Sequence, residues 1–326
     1  MASRRSDLPS AILPGMSRKV TLKPRIAIVG AGNLAGALAI SLHQAEYVIA
    51  QIILRGRRAS VQRARKLARE VGASVVAAEP TRRIGGSNKS DRRGAGAIDA
   101  GVVWFCVPDG AIARAARSLA DAADWKGKVA LHSSGALTSD QLDVLRRRGA
   151  AVASVHPLMT FVRDSRPGLG GVPFAIEGER KAVRAARAIV QDMGGEIWPI
   201  RVDDKDAYHA WGTFASPLLT ALLATSEQVA ACAGVKAKAA KRRMLPMLKQ
   251  TLANYEAYGA AGAFSGPIVR GDLDTVQRHL RLLRRLGVAK EVYVALARAA
   301  LAYLPAKNKK MLAEWLGSVR QNRGGR

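Results

Sequence analysis

The sequence of 326 residues contains little cysteine, few aromatic residues and few acids, and each shortage excludes a class of protein. Its two cysteines, Cys106 and Cys232, cannot form a disulfide framework or a cysteine-based metal cluster. We therefore expect no metal and a cytoplasmic location. Apolar residues make up 48% and charged residues 24%, which is ordinary for globular proteins and excludes disordered and collagen-like chains.

The shortage of acidic residues leaves a large positive charge. There are 52 Lys and Arg but only 25 Asp and Glu, so the formal net charge at pH 7 is +27. A charge of this size favours anionic partners but does not determine the fold. The basic residues are scattered over several segments and lack a recognition motif, zinc spacing or interleaved aromatic residues. We therefore expect non-specific, salt-sensitive adhesion to nucleic acid and no dedicated nucleic-acid partner.

No apolar run is long enough to predict a membrane span. Residues 1–24 are basic and have neither a continuous apolar core nor a small-residue cleavage site, which is typical of a flexible tail. The best candidate, residues 210–226, is uncharged but is interrupted by Gly212, Ser216 and Pro217. It falls short of the roughly 18–20 apolar residues that a span needs. We predict a buried helix that is kinked at Pro217, and no membrane partner.

From residue 25 onwards, short apolar runs alternate with helical stretches, which predicts a doubly wound parallel sheet. The predicted strands are Arg25–Val29, Val48–Leu54, Ser74–Ala77, Gly101–Cys106, Val129–His132, Ala151–Val155, Pro173–Ile176 and Glu196–Pro199. After about residue 200, long helical segments rich in Ala and Leu replace the strands. The predicted order is a basic tail (1–24), an α/β nucleotide-binding domain (25–200) with a flexible insertion (78–98), an all-helical domain (201–320) and a short tail (321–326).

A glycine-rich segment, Gly30 to Gly36 (GAGNLAG), directly follows the first predicted strand. Gly30 permits a tight turn, and Gly32 has no side chain to obstruct a pyrophosphate. The helix that begins with Asn33 and Leu34 would present free N–H groups and its positive dipole end to the phosphates. A position between an apolar strand and an amphipathic helix is the context that the dinucleotide-binding fingerprint requires. The alternative is an ordinary glycine turn.

The end of the second predicted strand indicates which dinucleotide is bound. NAD-binding proteins place an Asp or Glu there, about 20 residues after the glycines, to bond the ribose hydroxyls. This chain instead has Arg55, Arg57 and Arg58. Guanidinium groups can hold a 2′-phosphate through paired hydrogen bonds, so we predict NADP(H) as the cofactor. The alternative is that these arginines belong to a generally basic surface.

Two later strand ends are expected to complete the pocket, because ligands gather outside the carboxyl ends of the strands in an open parallel sheet. Val107 and Pro108 follow the fourth predicted strand and would flank the cofactor. Ser133 and Ser134 follow the fifth, with Ser133 assigned to the cofactor and Ser134 to the substrate. Plain strand-to-helix turns explain both segments almost equally well.

The later part of the chain supplies candidates for contact with a substrate. His156 follows the sixth predicted strand. Lys205, His209 and Ser216 share one stripe of the long helix, because they are four and eleven residues apart. A cation and an imidazole at the start of this helix could polarise a carbonyl or imine and deliver a proton, so Lys205 and His209 are the catalytic candidates. A solvated lysine and a core histidine are the alternatives.

A third polar segment runs from Ser265 to Asp272 (SGPIVRGD), where glycine and proline force a non-helical path between helices. Arg270 could clamp a substrate carboxylate, with Asp272 as its orienting partner. An ion pair that merely fixes the loop explains the same two residues equally well.

The motifs in this order resemble those of a known group of proteins. The glycine turn, VPD, HSSGA, HPL, KDAYHA and GPIVRGD together resemble Rossmann-like proteins whose C-terminal half is the domain of unknown function 2520. That group is similar in architecture to pyrroline-5-carboxylate reductases, ketopantoate reductases and β-hydroxyacid dehydrogenases, with a helical domain like that of 6-phosphogluconate dehydrogenase. The resemblance covers roughly residues 25–304. It implies an NADP-dependent oxidoreductase without an agreed substrate, and a homodimer formed through the helical domain.

The resemblance also bears on the catalytic residues. In β-hydroxyacid dehydrogenases a lysine on the first long helix is the acid/base group, and an asparagine follows one turn later. By this analogy Lys205 takes the place of the lysine and His209 that of the asparagine. Pro217 departs from the pattern, because many relatives carry asparagine there after Ala-Ser.

Together these features predict an enzyme that transfers a hydride between NADPH and the carbonyl or imine of a small, anionic metabolite. The alternative is a non-catalytic sensor that binds NADP without turnover.

Overall fold

The computed structural model describes residues 22–54, 58–77, 97–163 and 165–319, without the side chains of residues 58 and 59. The chain divides into two compact units, residues 1–210 and 211–326, which we call the first and second units. The division falls later than the boundary predicted near residue 201, because Lys205 and Tyr208 are buried in the first unit. Residues 78–96 of the predicted insertion, residues 1–21 of the first tail and the whole of the last tail lie outside the described residues.

The first unit is built on a sheet with eight strands within the described residues. They are β1 (Ile26–Val29), β2 (Ile49–Leu54), β3 (Ser74–Ala77), β4 (Val102–Phe105), β5 (Val129–His132), β6 (Ala151–Pro157), β7 (Pro173–Gly178) and β8 (Glu196–Pro199). Their order across the sheet is β3-β2-β1-β4-β5-β6-β7-β8, and all neighbours are parallel except β6 and β7. Each strand lies within two residues of its predicted bounds.

The antiparallel pairing of β7 corrects the expectation of parallel pairing throughout. A parallel neighbour requires a crossover, usually a helix, that returns the chain to the same end of the sheet. The described residues between β6 and β7 contain no helix, so the chain turns back and pairs directly with the strand it has just left. This pairing places Glu177 on β7 opposite Ser154 on β6.

Helices cover both faces of the sheet. They are α1 (Asn33–Gln44), α2 (Arg58–Val71), α3 (Ile112–Leu119), α4 (Asp143–Arg146) and α5 (Arg180–Asp192), while α6 (Lys205–Thr213) begins in this unit. Alternate residues of β1 enter different cores: Ile26 and Ile28 pack in the cluster with α1, α2 and α5, whereas Ala27 and Val29 pack with α3 and α4. The predicted doubly wound α/β fold is therefore confirmed.

The described residues of the second unit form helices joined by short connections, and no strand occurs among them. A π-helical turn (Phe214–Leu218) follows α6, and then come α7 (Leu219–Cys232), α8 (Ala237–Ala263), α9 (Pro267–Arg270), α10 (Leu273–Leu283), α11 (Gly287–Tyr303) and α12 (Lys309–Ser318). The core lies between α10, α11 and α12, around Val276, Leu301 and Leu312. The irregularity expected at Pro217 takes the form of the π turn, because proline lacks the N–H of the α pattern.

No single helix among the described residues meets the criteria of length and apolarity for crossing a bilayer. Residues 202–232 and 237–270 meet them only as a bent pair, by length and composition alone.

Candidate dinucleotide site and adjoining polar cluster

The first glycine of the turn is required by the fold itself. Gly30 has a φ of +116°, which side-chain-bearing residues rarely adopt. A Cβ atom at Gly30 would lie 2.4 Å from the backbone oxygen of Cys106 on the neighbouring strand end. The N–H of Gly30 also donates to the oxygen of Ile53, at 2.9 Å. Gly30 therefore brings the ends of three strands close together.

The second glycine is not required by the protein's own packing. Gly32 has an ordinary φ of −79°, is exposed, and would bring an added Cβ within 4 Å of no protein atom. It stands immediately before α1, whose first turn carries no acidic side chain. The open space over Gly32 is thus bounded by free helical N–H groups and the positive end of the helix dipole. This is the arrangement that binds a pyrophosphate.

A cavity of about 740 Å³ opens beside this turn, within the usual range for small-molecule sites. Its lining includes Gly30, Gly32, Val107 and Pro108, which the sequence analysis assigned to the cofactor. It also includes residues that the sequence analysis did not single out: Ser60, Arg63, Gly110 and Arg114. The residues present therefore fit a dinucleotide, with glycine backbone on one side and cationic side chains on the other.

Arg63 is the described cation closest in sequence to the predicted phosphate-binding arginines. Arg55 and Arg57 lie outside the described residues, and so does the side chain of Arg58. Arg63 also lines a smaller neighbouring cavity of about 150 Å³, together with Lys66. Its spacing from Ser60 gives a signal in the sequence, because residues three apart at the start of a helix share one face.

The two residues that begin α1 differ in their roles. The side-chain amide of Asn33 donates to the backbone oxygen of Phe161 at 3.3 Å, and Asn33 lines the smaller cavity. Leu34 packs against the core of the sheet instead. Of these two side chains, only that of Asn33 faces a cavity in the first unit.

Ser133 is engaged by neighbouring protein groups. Its hydroxyl accepts a hydrogen bond from Nε1 of Trp104 at 2.8 Å. It also bonds to Cys106, whose pKa is raised to about 12 because the thiol is buried, although the bond to Ser133 acts in the opposite direction. Cys106 is therefore a neutral thiol. Ser133 links the ends of β4 and β5, and its contact with the cofactor stays a prediction.

Ser134 connects the cavity beside the glycine turn to a second polar region. Its hydroxyl donates to Oδ2 of Asp109 at 2.9 Å and accepts from the N–H of Leu137 at 2.9 Å. Asp109 directly follows Pro108, which lines the cavity. The turn after β5 and the turn after β4 are therefore held together by a buried serine and a carboxylate.

His132 is a buried member of this region that the sequence analysis did not identify. Its Nδ1 accepts from the N–H of Ser134 at 3.1 Å, so the Nε2 that lies 2.9 Å from the oxygen of Thr138 is the donor. Burial is the largest cause that lowers the pKa of His132 to about 4, with a smaller contribution from Lys205. The ring is therefore neutral near pH 7 and fixes the shape of the Ser134 turn.

Lys205 lies beneath this turn and is only 2% exposed. Its ammonium donates to the hydroxyl of Ser154 at 2.9 Å and to the backbone oxygen of Ser134 at 3.4 Å, and it lies 3.9 Å from Oε1 of Glu177. The buried carboxylate of Glu177 in turn accepts from the N–H of Ser139 at 2.7 Å and from its hydroxyl at 2.9 Å. Burial lowers the pKa of Lys205, while Glu177 and Asp109 oppose the change.

Beside this buried charge lies a group of aromatic side chains from β6 and α6. Nδ1 of His156 is 2.7 Å from the hydroxyl of Tyr208, and the rings of His156 and His209 are 6.5 Å apart. A Cβ atom at Gly135 would lie 2.9 Å from Nε2 of His156 and 3.0 Å from Cδ2 of His209. The two histidines therefore require glycine at position 135. Tyr208 was not singled out from the sequence, although it lies three residues after Lys205 on the same buried face.

The remaining predicted site residues lie in the second unit. Ser216 is half-buried within the π turn, and its backbone oxygen accepts from the hydroxyl of Thr220. Asp272 caps α10 by accepting from the N–H of Thr275 at 3.0 Å, and this bond is the largest cause that lowers its pKa. Arg270 is exposed at the end of α9. The cap gives Asp272 a structural role, and the substrate roles of all three stay predictions.

Two sequence families match the chain. Residues 25–132 match the family described as NADP oxidoreductase, coenzyme F420-dependent, and residues 172–300 match the domain of unknown function 2520. A search of curated protein sequences finds no match.

Solved structures share the fold at low sequence identity. A candidate NADP oxidoreductase from Bacteroides fragilis is 20% identical with a TM-score of 0.67, over 85% of this chain and 97% of that one. A pyrroline-5-carboxylate reductase from Coxiella burnetii is 13% identical with a TM-score of 0.53, over 90% and 99%. A reductive aminase from Aspergillus terreus, solved with NADPH and ethyl-5-oxohexanoate, is 16% identical with a TM-score of 0.56, over 90% and 99%. At these identities the likeness establishes the fold alone.

The glycine turn, its cavity and strands β1 to β5 lie within the first matched region, whereas β7, β8 and most helices of the second unit lie within the second. The family that matches the sheet is described by the cofactor NADP, which agrees with the NADP(H) prediction. The chain is therefore similar to the NADP oxidoreductase family over residues 25–132 and to the domain of unknown function 2520 over residues 172–300, in the order that its motifs predicted.

Proposed function

We propose that this protein is an NADPH-dependent reductase acting on the carbonyl or imine of a small, anionic metabolite. The observation that carries the proposal is the glycine at position 32. Gly32 is exposed and lines the cavity, and the packing of the protein does not require glycine there. The family description supports an oxidoreductase that uses NADP. The reaction type is supported by analogy of fold, since the neighbours include a pyrroline-5-carboxylate reductase and a reductive aminase.

The residues that would hold the dinucleotide are those around the cavity. Backbone N–H groups at the start of α1 would bind the pyrophosphate, and Val107 and Pro108 would pack against the cofactor. Arg63 and Arg114 supply positive charge, and Arg55, Arg57 and Arg58 are proposed to hold the 2′-phosphate. When bound, NADPH supplies the hydride, and the protein contributes orientation and charge stabilisation.

Polar side chains at the start of α6 are proposed to polarise the carbonyl or imine. His209 is exposed and can meet a substrate directly. Lys205 is buried, so its charge acts on the reaction through Ser134 and Ser154, whose oxygens it holds. Ser134, His156, Ser216, Arg270 and Asp272 remain the proposed substrate contacts.

We also infer that the protein is a homodimer formed through the second unit. The 27-residue helix α8 buries only Ala240. Its large exposed apolar side chains are Leu245, Met247, Leu252, Tyr255 and Tyr258, with exposures from 42% to 70%. Five large exposed apolar side chains on one helix are typical of an interface. Light scattering across a range of protein concentrations should give twice the chain mass, and a monomer at every concentration would contradict the dimer.

The cofactor is tested by thermal unfolding with NADPH and with NADH. A ligand that binds only the folded protein adds about 2.7 kcal/mol of stability at 100 times its Kd. We expect a larger shift with NADPH, because guanidinium groups favour the additional phosphate. A larger shift with NADH would contradict the assignment of the arginines.

The reaction is tested with a panel of keto acids and cyclic imines, by following the absorbance of NADPH. Oxidised coenzyme F420 belongs in the panel as an alternative hydride acceptor, because the family description names it. Turnover with a keto acid or an imine is the expected result. Tight NADPH binding without turnover of any panel member would instead favour a sensor, and turnover with coenzyme F420 alone would indicate an oxidoreductase that passes hydride between two cofactors.

A further inference from the structure

A histidine–tyrosine pair in the first unit has a geometry suited to proton transfer. The hydroxyl of Tyr208 is 2.7 Å from Nδ1 of His156 and 3.4 Å from the backbone oxygen of the same residue. The shorter contact is the stronger hydrogen bond. Edge-to-face ring contacts with His156 and Trp198 hold Tyr208 in this position. The two functional groups are therefore fixed against each other by both polar and ring contacts.

Among the described residues no group forms a hydrogen bond with the second nitrogen of the His156 ring, Nε2, and Nε2 is not one of the fully buried polar atoms that lack a partner. The side chain of His156 is only partly buried. Because Gly135 has no side chain, the ring edge that carries Nε2 is not covered by the neighbouring turn. One side of the imidazole is bonded to Tyr208, and the other is available to a ligand.

Burial and the neighbouring titratable groups keep the ring of His156 neutral. These groups are Lys205 and His209 on α6, His132 at the end of β5 and Asp109 before α3. Together they lower the pKa of His156 to about 4: burial is the largest cause, Lys205, His209 and His132 act in the same direction, and Asp109 opposes them. A neutral ring whose Nδ1 accepts from Tyr208 carries its proton on Nε2. The free edge is therefore a hydrogen-bond donor.

We propose that His156 delivers the proton to the substrate and that Tyr208 replaces it, so that these two residues are the acid of the reaction. This inference rests on the proposed function. As the substrate carbon gains a hydride, the electron pair of the C=O or C=N bond moves to oxygen or nitrogen, which takes the proton from Nε2. Nδ1 takes the hydroxyl proton of Tyr208, and the phenolate regains a proton from water. The net transfer is favourable because an alkoxide or an amide anion is a stronger base than a phenolate.

Lys205 is poorly placed for the same task. Its ammonium is 2% exposed and is directed at the oxygens of Ser134, Ser154 and Glu177. It is a positioning residue that holds the turn next to Gly135 in place. Its positive charge also opposes the formation of an imidazolium at His156. Both effects maintain the donor form of the ring.

The test uses the full-length protein with the variants His156→Gln and Tyr208→Phe. A positioned general acid contributes about 100-fold or more to the rate, so His156→Gln should lower kcat by about 100-fold with a small change in KM. Tyr208→Phe keeps the ring contacts and removes only the hydroxyl, and it should lower kcat by about 10-fold. NADPH affinity should stay within about twofold of the wild type in both.

A matched control is available in the second unit. Tyr293 forms a similar contact with Nδ1 of His279, at 3.1 Å, with the rings edge to face. Tyr293→Phe removes a hydroxyl from a comparable pair that lies outside the first unit. It should leave kcat unchanged, so a loss that is equal in Tyr208→Phe and Tyr293→Phe would count against the proposal.

A second readout does not depend on turnover. Nitrogen-15 chemical shifts of His156 near neutral pH should show a protonated Nε2 and an unprotonated Nδ1 in the wild type. In Tyr208→Phe the loss of the donor should shift the ring toward the other tautomer. A wild-type kcat in either variant, or an Nδ1 that already carries the proton in the wild type, overturns the inference. If the wild-type protein reduces no panel substrate, the proposed function fails, and the nitrogen shifts still decide whether the histidine–tyrosine pair exists as described.

Discussion

The glycine turn and the buried polar cluster next to the Ser134 turn differ in where their hydrogen-bonding groups lie: those of the turn are open to a ligand, and those of the cluster are bonded within the protein. At the turn, Gly32 faces open space, and the groups available for binding are backbone N–H groups at the start of α1. In the cluster, the polar atoms of Lys205, Glu177 and Ser154 are bonded to one another away from solvent. A substitution at Gly32 can therefore abolish ligand binding without lowering the stability of the fold. A substitution in the buried cluster is expected to lower stability first, because each of its polar groups depends on the others.

The largest expected effect is a loss of stability when the ion pair in the buried cluster is broken. Lys205→Met removes a cation and leaves the carboxylate of Glu177 buried without its opposite charge. Breaking a buried pair in this way costs about 3–5 kcal/mol of unfolding free energy. Chemical denaturation should show this loss. The double variant Lys205→Met with Glu177→Gln should recover part of it, and equal stability of the single and double variants would show that the ion pair has little importance.

The next effect concerns pH and the buried histidine of the same cluster. His132 has a pKa of about 4 in the folded protein and an ordinary value of 6.5. Between these values the unfolded chain binds a proton that the folded one does not, so stability falls as the pH decreases from about 6.5 to about 4. The expected loss is about 3 kcal/mol for His132 alone.

Urea unfolding at several pH values in this window measures the effect. His132→Asn should lower the pH dependence by about half, because His156, whose pKa is also about 4, contributes a similar share. The control variant is His43→Gln, which changes an exposed histidine of α1. A pH dependence that is the same in wild type and His132→Asn would mean that other groups control acid stability.

Two glycine variants separate the effect on folding from the effect on NADPH binding within the glycine turn. Gly30→Ala introduces a positive-φ alanine and a clash with the backbone of Cys106, so it should destabilise the first unit by about 2–3 kcal/mol. Gly32→Ala meets no protein atom and should leave the melting temperature unchanged. Its methyl group occupies the space proposed for the pyrophosphate, so NADPH affinity should fall by about 100-fold, or about 2.7 kcal/mol.

Thermal unfolding without ligand and titration with NADPH separate the two outcomes. Each variant is the control for the other, because they make the same chemical change two residues apart. A Gly32→Ala protein that binds NADPH normally would remove the observation on which the proposed function rests.

The smallest expected effect is a loss of NADPH affinity when a cationic residue that lines the cavity is replaced. Arg63→Gln should weaken NADPH binding by about 10-fold, or about 1.4 kcal/mol, with a smaller effect on NADH. Arg65→Gln changes the same charge on the exposed part of α2, away from the residues that line the cavity, and is the control. Equal losses for the two variants would show that net charge, and no specific contact, governs binding.

Much of the first unit could be predicted because its signals are local. Each strand is a short apolar run, and the glycine turn follows one of them directly, so the parallel strand ends and the cofactor site could be placed together. The direction of β7 could not be predicted in this way, because it depends on whether the connecting segment forms a helix. The roles of Lys205 and Tyr208 were also hidden, because helical spacing gives the shared face of a helix but not what that face packs against.

The contacts of the buried polar cluster could not be predicted either, because they join residues that are far apart in the sequence. Lys205 bonds to Ser134 across 71 residues and to Ser154 across 51, and His156 meets Tyr208 across 52. Helical periodicity extends over a few turns and carries no information on such contacts. Arg63 is intermediate, since its spacing from Ser60 was visible but its access to the cavity was not.

The sequence by itself determined the strands of the sheet, the glycine turn, the change to helices near residue 200 and the NADP(H) assignment. The first three depend on the period of apolar residues and on the conformations that glycine alone adopts readily, whereas the NADP(H) assignment depends on the arginines that stand where an acidic residue would bind NAD. Only the tertiary structure decided that Gly30 is needed for folding while Gly32 is not, and that Lys205 is buried while one edge of His156 is free. Those differences arise from which atoms of distant segments come into contact, and burial then sets the charge state and the reach of each side chain.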